Sequence, residues 1–308
     1  MATYILRRIF WTVPVLLAVA TITFVLMHSI PGGPWDGARP MDPVARENLD
    51  RYYGLDKPVW RQFGTYVYRL GQGDLGISFQ QRNRPVRDVL AEKIRPSVTL
   101  GLLSLAVSMT AGVTLGVASA LRRNTALDHA AVAFATLCAS VPSLILGMLM
   151  LALFTGHLHW LDSGGWGTPK QAIMPVLALS ALPLAYISRV TRASMLDVLD
   201  EDYIRTARAK GLRTQVVVAR HMLKNALIPV LTVAGPLAAT LVTGMFVVEH
   251  LFSIPGTGQE LVRSIQTRDY GMIMGITLFY TLVVVTANLV VDVLYAFVDP
   301  RIRYEEHG

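Results

Sequence analysis

Three groups of residues in this sequence have types and spacings that could support chemistry. The stretch GQGDLG, Gly71 to Gly76, matches the G-x-G-x-x-G pattern of dinucleotide sites. Its first four residues also match the G-x-G-D pattern of intramembrane aspartyl proteases. His157 and His159 could supply two ligands to a metal ion. Asp292 stands at the end of a long apolar run, where an ionisable group is expected to have a function.

The surrounding sequence argues against enzymatic chemistry at the first two groups. No strand–turn–helix unit surrounds GQGDLG, and Asp74 lies in a polar segment rather than in an apolar run. Two histidines make a poor metal site without further ligands, so we interpret His157 and His159 as an interfacial loop and expect no metal site. Cys138, the single cysteine, is interpreted as a packing residue. No P-loop motif occurs in the sequence, so any ATP must be bound by another chain.

Six long runs without Asp, Glu, Lys or Arg indicate which elements position these residues. Of the 308 residues 53% are hydrophobic and only 16% charged, and the mean hydropathy is +0.45. A helix needs roughly 20 apolar residues to cross a bilayer core, and in lipid its backbone groups must bond to one another. We therefore predict six transmembrane helices, at Ile9–Ile30, Ser97–Leu121, Ala130–Thr155, Gln171–Ser188, Ala226–Val248 and Gly271–Val291.

Two of these runs allow another interpretation. Arg7 and Arg8 precede the first run, as they would in a signal peptide. The run is longer than the apolar region of such peptides, however, and no A-x-A cleavage site follows it, so we expect it to be retained. The fourth run is the shortest of the six and could instead be a buried core helix.

The distribution of Lys and Arg predicts the orientation in the membrane, because cytoplasmic loops are enriched in them. The N-terminus, the loop after span two, the segment Arg189–Asn225 and the C-terminus together carry 14, against three in the loops after spans three and five. Both termini are therefore expected in the cytoplasm and Pro31–Pro96 outside. We interpret the net charge of +7 as a result of this enrichment of Lys and Arg in cytoplasmic loops. No nucleic-acid partner is expected, since no compact basic patch with interleaved aromatic residues occurs.

The outer segment Pro31–Pro96 is expected to be partly folded. Turn signals separate two stretches, Asp42–Tyr52 and Val59–Leu70, which we predict to be short helices on the membrane surface. Aromatic and apolar residues recur at helical spacing in the second stretch and suit the membrane interface. They are Trp60, Phe63, Tyr66 and Leu70.

Span two carries a row of small residues at every fourth position, which lets helix backbones approach closely. The row consists of Ser104, Ser108, Gly112, Gly116 and Ala120. We interpret it as helix packing within this chain or against a partner, with a substrate groove as the alternative. Pro142 and Pro183 fall inside predicted spans and are expected to kink them.

The basic segment after span four has the signals of a helix followed by a glycine turn. Asp200–Asp202 place acids where a helix would begin, and Arg208 and Lys210 place bases where it would end, an order that complements the helix dipole. Gly211 stands where a C-terminal cap is expected.

The same segment predicts a second helix and a contact position. Thr214 could cap a helix running to about Asn225. Ala207 presents a small side chain one turn before Gly211, which would let another protein approach closely. The alternative is an ordinary basic loop that sets the topology and meets lipid headgroups.

At Ala207 and Gly211 the pattern A-x-x-x-G resembles the EAA loop of bacterial ABC importer permeases. That family has E-A-A-x-x-x-G followed by I-x-L-P. At several of the corresponding positions this chain has a different residue. They read Arg205, Thr206 and Ala207 before Gly211, and His221, Leu223 and Lys224 after it. In the dipeptide and oligopeptide subfamily the form R-T-A-R-A-K-G is usual, so Arg205 fits that subfamily.

Five stretches, one of which contains Ala207 and Gly211, resemble the B-type permease subunits of dipeptide and oligopeptide ABC importers, and they occur in the same order. They are Gly54–Phe79, Arg84–Leu102, Asp202–Leu212, Glu249–Tyr270 and Asn288–Tyr304. The resemblance implies an all-α integral membrane protein of the type I importer permease fold in a bacterial inner membrane. Its expected divisions are residues 1–30 with the first span, the outer segment 31–96, a permease core 97–298 with a coupling loop 189–225, and a cytoplasmic tail 299–308.

The resemblance also implies a function and partners. Such a permease is not an enzyme; it pairs with a C-type permease, two ATP-binding subunits and an extracytoplasmic solute-binding protein, and it imports substrate by alternating access. ATP and Mg are then held by the ATPase subunits, and no cofactor by this chain. Membrane lipid is a further partner. The residues implied to contact the ATPase are Arg205, Ala207, Arg208, Lys210 and Gly211.

Other functions stay open at this point. Near relatives of the peptide permeases carry nickel complexes or sugars. A gradient-driven transporter or channel would need buried charges, for which Asp292 is the candidate, with Asn288 one turn earlier. We interpret Asn288 as an interhelical hydrogen-bonding residue, and Asp292 as either a structural partner of its neighbours or a residue with a role in transport.

Overall fold

A computed structural model describes residues 2–36, 42–81, 84–243 and 245–298, and the predicted tail 299–308 lies outside them. The regular elements of the described chain are all helices, apart from one isolated β-bridge between Ile77 and Pro85. π-Helical turns at Leu151–His157 and Val217–Met222 extend α6 and join α9 to α10. The helices are α1 Ala2–Ser29, α2 Pro43–Tyr53, α3 Val59–Gly71, α4 Val86–Leu121, α5 Ala126–Ser140, α6 Ser143–Met150, α7 Pro169–Leu199, α8 Asp202–Ala209, α9 Thr214–Val216, α10 Leu223–Thr243, α11 Phe246–Leu251, α12 Thr257–Gln266 and α13 Tyr270–Val298.

Six predicted spans correspond to five long apolar helical segments and one bent pair. The segments are α1, α4, α7, the segment that begins at Thr214, and α13. The third predicted span consists of α5 and the α6 segment, which are bent by 100° at a short break. Pro142 lies in this break, where its ring and missing N–H prevent the helix from continuing. Counted as one span, the pair gives the six that were predicted.

Two predicted spans are longer than the apolar runs that indicated them. The second begins at Val86 rather than Ser97 and contains Pro96, and the fourth continues beyond Ser188 to Leu199. The additional helical turns at their ends contain polar and charged residues, so an apolar run does not include them. The predicted loop after span four is therefore helical up to Leu199, and the segment between helices begins at Asp200.

The described chain separates into two compact units. The first contains residues 1–97 and 255–285, and α2 and α3 confirm the two helices predicted in the outer segment. Phe63, Tyr66 and Leu70 of α3 pack on a core made by α1 and the start of α13. Trp60, which recurs with them at helical spacing, is 69% exposed and does not share the face on which they pack. Aromatic contacts such as Phe24 on Phe63 close this core.

Asp269 fixes the start of α13 within the first unit. This buried carboxylate accepts hydrogen bonds from the Ser78 hydroxyl and from the backbone N–H groups of Phe79, Gln80 and Met272. Hydrogen bonds to a charged acceptor are strong, so these four compensate for the free-energy cost of burying the carboxylate. The outer segment is thereby tied to the helix that crosses the membrane last.

The second unit contains residues 98–254 and 286–308, described here to residue 298, and has two apolar clusters. One joins α4, α7, α10 and α11 through residues such as Leu100, Met174 and Phe252. The other brings the end of α4 and the end of α7 against α8 and the π-helical turn before α10. The second cluster therefore underlies the segment that the sequence singled out.

Candidate functional site

The candidate site is formed by α8 and the turn that follows it. α8 begins at Asp202, directly after Glu201, and has Arg208 in its last turn, as the charge order predicted. The N–H of Leu212 bonds to the carbonyl of Ala207 at 3.4 Å, and that of Gly211 to the carbonyl of Arg208 at 2.9 Å. These two bonds form a Schellman motif, which satisfies carbonyls that the helix end would leave free.

Gly211 has the left-handed backbone conformation that this motif requires, with φ of +76°, which confirms the predicted glycine turn. A Cβ added at Gly211 would meet no atom within 4 Å among the described residues. The position therefore needs glycine for its backbone angle and not for space, because a β-branched residue is strongly disfavoured at positive φ.

The inner face of α8 packs on the chain's own core. Ile204 is fully buried and Ala207 is 6% exposed, and both belong to the cluster that includes Met195 of α7 and Met222. The prediction that Ala207 offers an open contact position therefore needs correction. Its small side chain lets α8 lie close to its own helices, since the position faces inward.

The outer face of α8 and its turn is basic and exposed. Arg205, Arg208 and Lys210 all lie at the surface, as does Gly211. Arg205 Nη1 is 3.5 Å from Asp202 Oδ1, and both side chains are mostly exposed, at 71% and 97%. Such exposed pairs contribute little free energy, so these side chains remain available to an acidic partner surface.

The second predicted helix of this segment is not a separate element. Thr214 is the first residue of α9, and Arg213, which precedes it, makes no side-chain capping bond. α9 and the π-helical turn lead directly into α10 at Leu223. Asn225 Nδ2 donates to the Tyr203 hydroxyl oxygen at 2.8 Å, which ties this helix to α8. Along the chain, only the short turn after Ala209 separates α8 from the helical segment that becomes span five.

A buried ion pair behind α8 was missed by the sequence analysis. Arg192 of α7 donates to both carboxylate oxygens of Asp128 in α5, with both distances 2.8 Å. Asp128 also accepts from the Ser119 hydroxyl of α4 at 2.5 Å and from the Asn124 N–H at 2.9 Å. The pair therefore joins three helices of the second unit close to the cluster under α8. No local sequence pattern connects its members.

The small-residue row of span two lies against α7. Ser108 Oγ donates to the carbonyl of Ser180 at 3.1 Å, which joins the two helices. A Cβ at Gly112 would lie 2.9 Å from Ile187 Cγ2, and one at Gly116 would lie 2.6 Å from the carbonyl oxygen of Ser188. The row thus forms a close backbone contact inside this chain.

Other residues singled out by sequence lie away from α8. Asn288 and Asp292 are both half-buried on α13, and Val291 beside them packs where Gly235 of α10 leaves room. The role of Asp292 remains a prediction. Asp74 lies in an exposed turn, where it accepts from the Gly76 N–H. Among the described residues no group of three His, Cys, Asp or Glu could hold a metal ion, and His157 and His159 are exposed.

Comparison with known proteins covers the full chain. Residues 112–304 match the family "Binding-protein-dependent transport system inner membrane component", and residues 1–101 match "Binding-prot-dependent transport system membrane comp, N-term". The chain is 40% identical to the dipeptide transport system permease protein DppB of Bacillus subtilis over 308 residues, which is 100% of each chain. It is 38% identical to the oligopeptide transport system permease protein OppB of Escherichia coli K12, over 99% of this chain and 100% of the other.

Solved structures support the fold. A chain of the MetNI methionine ABC transporter in an inward-facing conformation matches with a TM-score of 0.58 at 19% identity, covering 68% of this chain and 96% of that one. A chain of an amino acid ABC transporter matches with a TM-score of 0.52 at 14% identity, covering 68% and 93%. The predicted importer permease fold is confirmed. The chain belongs to the family of inner membrane components of binding-protein-dependent transport systems.

Proposed function

We propose that this chain is a permease subunit of an ABC importer that takes up dipeptides or oligopeptides. The observation that carries the proposal is full-length similarity to the DppB and OppB permeases at 38–40% identity. Membership of the family itself makes the chain a transport component of the inner membrane, which works with a binding protein and with the other parts of its transport system.

The proposed assembly contains four further chains. They are one C-type permease, two ATP-binding subunits and one extracytoplasmic solute-binding protein. ATP and Mg are held by the ATP-binding subunits, and this chain contributes the membrane pathway. The count of 14 Lys and Arg against three in the shorter loops supports a cytoplasmic position for both termini and for α8.

In the proposed mechanism α8 is the coupling helix. Its exposed basic residues, Arg205, Arg208 and Lys210, orient the contact with an ATP-binding subunit, and Gly211 sets the direction of the chain after the contact. Displacement of α8 on nucleotide-driven closure is passed to the spans by the buried residues beneath it, because packed side chains transmit strain.

Two structural links support this route. Ile204 and Ala207 share a buried cluster with Met195 of α7, so moving α8 alone would disrupt this packing. The Asp128–Arg192 pair joins α7 to α5. Alternating access then requires that the ATP-bound subunits favour one arrangement of these helices over the other.

The test is transport by the purified assembly in lipid vesicles with its binding protein. We expect uptake of a labelled dipeptide or oligopeptide that depends on ATP and on the binding protein. Uptake of a nickel complex or a sugar in place of peptide would contradict the proposed cargo while keeping the importer. Uptake driven by an ion gradient without ATP would contradict the proposed mechanism.

A further inference from the structure

A cavity of about 350 Å³ lies within the first unit, between α1, α2, α3 and the start of α13. All of its lining residues belong to the first unit. Its size falls in the range of pockets that hold small ligands, roughly 300–1,000 Å³. Nothing in the transport mechanism above uses it.

The floor of the cavity is apolar and aromatic. Phe24 and Met27 of α1 and Met274 of α13 are buried there, and the rings of Tyr66 and Tyr270 complete the lining. The surface is suited to a hydrocarbon or aromatic body. A flexible acyl chain also fits it, because aromatic side chains present a large apolar area.

The mouth of the cavity is positively charged. Arg51, Lys57 and Arg69 line it, all three are exposed, and the lining includes no Asp or Glu. Arg51 is paired with Glu47 at 2.6 Å. Among the described residues no carboxylate lies within 4.0 Å of Lys57 or Arg69, so these two cations have unused bonding capacity.

Tyr66, which lines the cavity, carries a polar group that also lacks a partner. The Tyr66 hydroxyl is buried and makes no hydrogen bond within the described part of the chain. Burial raises the pKa of Tyr66, so the hydroxyl stays protonated and can donate. A buried hydroxyl without a partner is unfavourable, and an acceptor on a ligand would satisfy it.

We propose that this cavity binds an anionic phospholipid, with its phosphate between Lys57 and Arg69 and its apolar part on the aromatic floor near Tyr66. The position favours a lipid over a free anion. The cavity lies beside the end of α1 at Ser29, where this span reaches the membrane surface, and on the charge-derived topology this is the outer side. Lys and Arg side chains close to the membrane surface attract anionic headgroups.

The helix that forms one wall also fits the level of the headgroups. Trp60 and Tyr68 of α3 are each 69% exposed, on the side of the helix away from the core. Exposed Trp and Tyr favour the boundary between lipid and water. The proposed lipid would therefore tie α3 to the membrane next to span one, and this inference does not depend on the cargo of the transporter.

The test is native mass spectrometry and thermal shift on the purified assembly containing the full chain. Phosphatidylglycerol and phosphatidylcholine with the same acyl chains are titrated separately. The double variant K57Q/R69Q should bind phosphatidylglycerol about tenfold or more weakly, because each lost cation removes attraction to the headgroup. The control K170Q/R263Q removes one Lys and one Arg that do not line the cavity, and it should bind within about twofold of the wild type.

Tyr66→Phe separates binding from folding. This variant should reduce the thermal shift caused by phosphatidylglycerol without lowering the stability of the lipid-free assembly, since it removes an unpartnered hydroxyl. Equal binding of the two lipids, or equal loss in both double variants, would overturn the proposal. Displacement of phosphatidylglycerol by inorganic phosphate or by a dipeptide would overturn it as well, and would make the ligand a soluble anion.

Discussion

Arg192 of α7 and Asp128 of α5 form a two-pronged ion pair in which both N–O distances are 2.8 Å and the carboxylate is almost fully buried. The two residues are 64 positions apart in the sequence. Ser119 of α4 adds a third hydrogen-bonding group to the same carboxylate. Three helices, α4, α5 and α7, are thus held by one charged group, and α4 and α7 contribute to the cluster under α8.

The first prediction concerns this pair. Asp128→Asn should destabilise the assembly by about 3 kcal/mol, because it leaves the Arg192 guanidinium without its counter-charge in a largely buried position. The measurement is the thermal or denaturant midpoint in detergent. The matched control Glu47→Gln breaks an exposed pair with Arg51 and should cost less than about 1 kcal/mol. Equal losses in the two variants would show that the buried pair has no special role.

The second prediction concerns the charged face of α8. Arg208→Glu should weaken association with the ATP-binding subunits by about tenfold, and the loss should shrink as salt is raised, since the contact is proposed to be electrostatic. Co-purification and surface binding assays measure the affinity of each variant for the ATP-binding subunits. Arg123→Glu makes the same charge change in a different exposed loop and should leave association unchanged. If Arg123→Glu weakens association equally, general charge rather than the α8 surface is responsible.

The third prediction concerns the contact between α4 and α7. Gly116→Ala would place a Cβ 2.6 Å from the Ser188 carbonyl oxygen and from Thr191 Cβ, so the two helices must separate. We expect a loss of roughly 1–3 kcal/mol. Gly64→Ala in α3 meets no atom within 4 Å among the described residues and should be neutral or slightly stabilising. Unchanged stability in Gly116→Ala would contradict the close packing described here.

Features that depend on short stretches of chain could be predicted from the sequence. The apolar runs predicted the spans because length and composition decide whether a helix can cross lipid. The turn at Gly211 was predicted because the helix-ending charges and the glycine are neighbours. Pro142 and Pro183 satisfy the same local rule, but only Pro142 lies at a helix break, since α7 continues through Pro183.

Features that depend on how helices meet could not be predicted in this way. The sequence shows that Ala207 has a small side chain one turn before Gly211. It does not show that this side chain faces the buried cluster under α8. Asp128 and Arg192 each lie just outside a predicted span, and only the packing of α5 beside α7 brings them together. The cavity near Tyr66 is likewise formed by residues from four separate helices.

The central claim is that α8 and Gly211 couple ATP hydrolysis to movement of the spans. Gly211→Val forces a β-branched residue into a left-handed conformation, and the turn must rearrange although no neighbouring atom is in the way. Gly211→Asn is the matched control, because asparagine tolerates this conformation far better.

The measurement is ATP hydrolysis and substrate uptake in the same reconstituted vesicles, for both variants and the wild type. The account predicts that Gly211→Val inserts and assembles normally, hydrolyses ATP, and loses at least about tenfold in uptake per ATP. Gly211→Asn should keep most of the uptake per ATP. If Gly211→Val shows the wild-type ratio of uptake to hydrolysis, coupling does not pass through this turn and the account is contradicted.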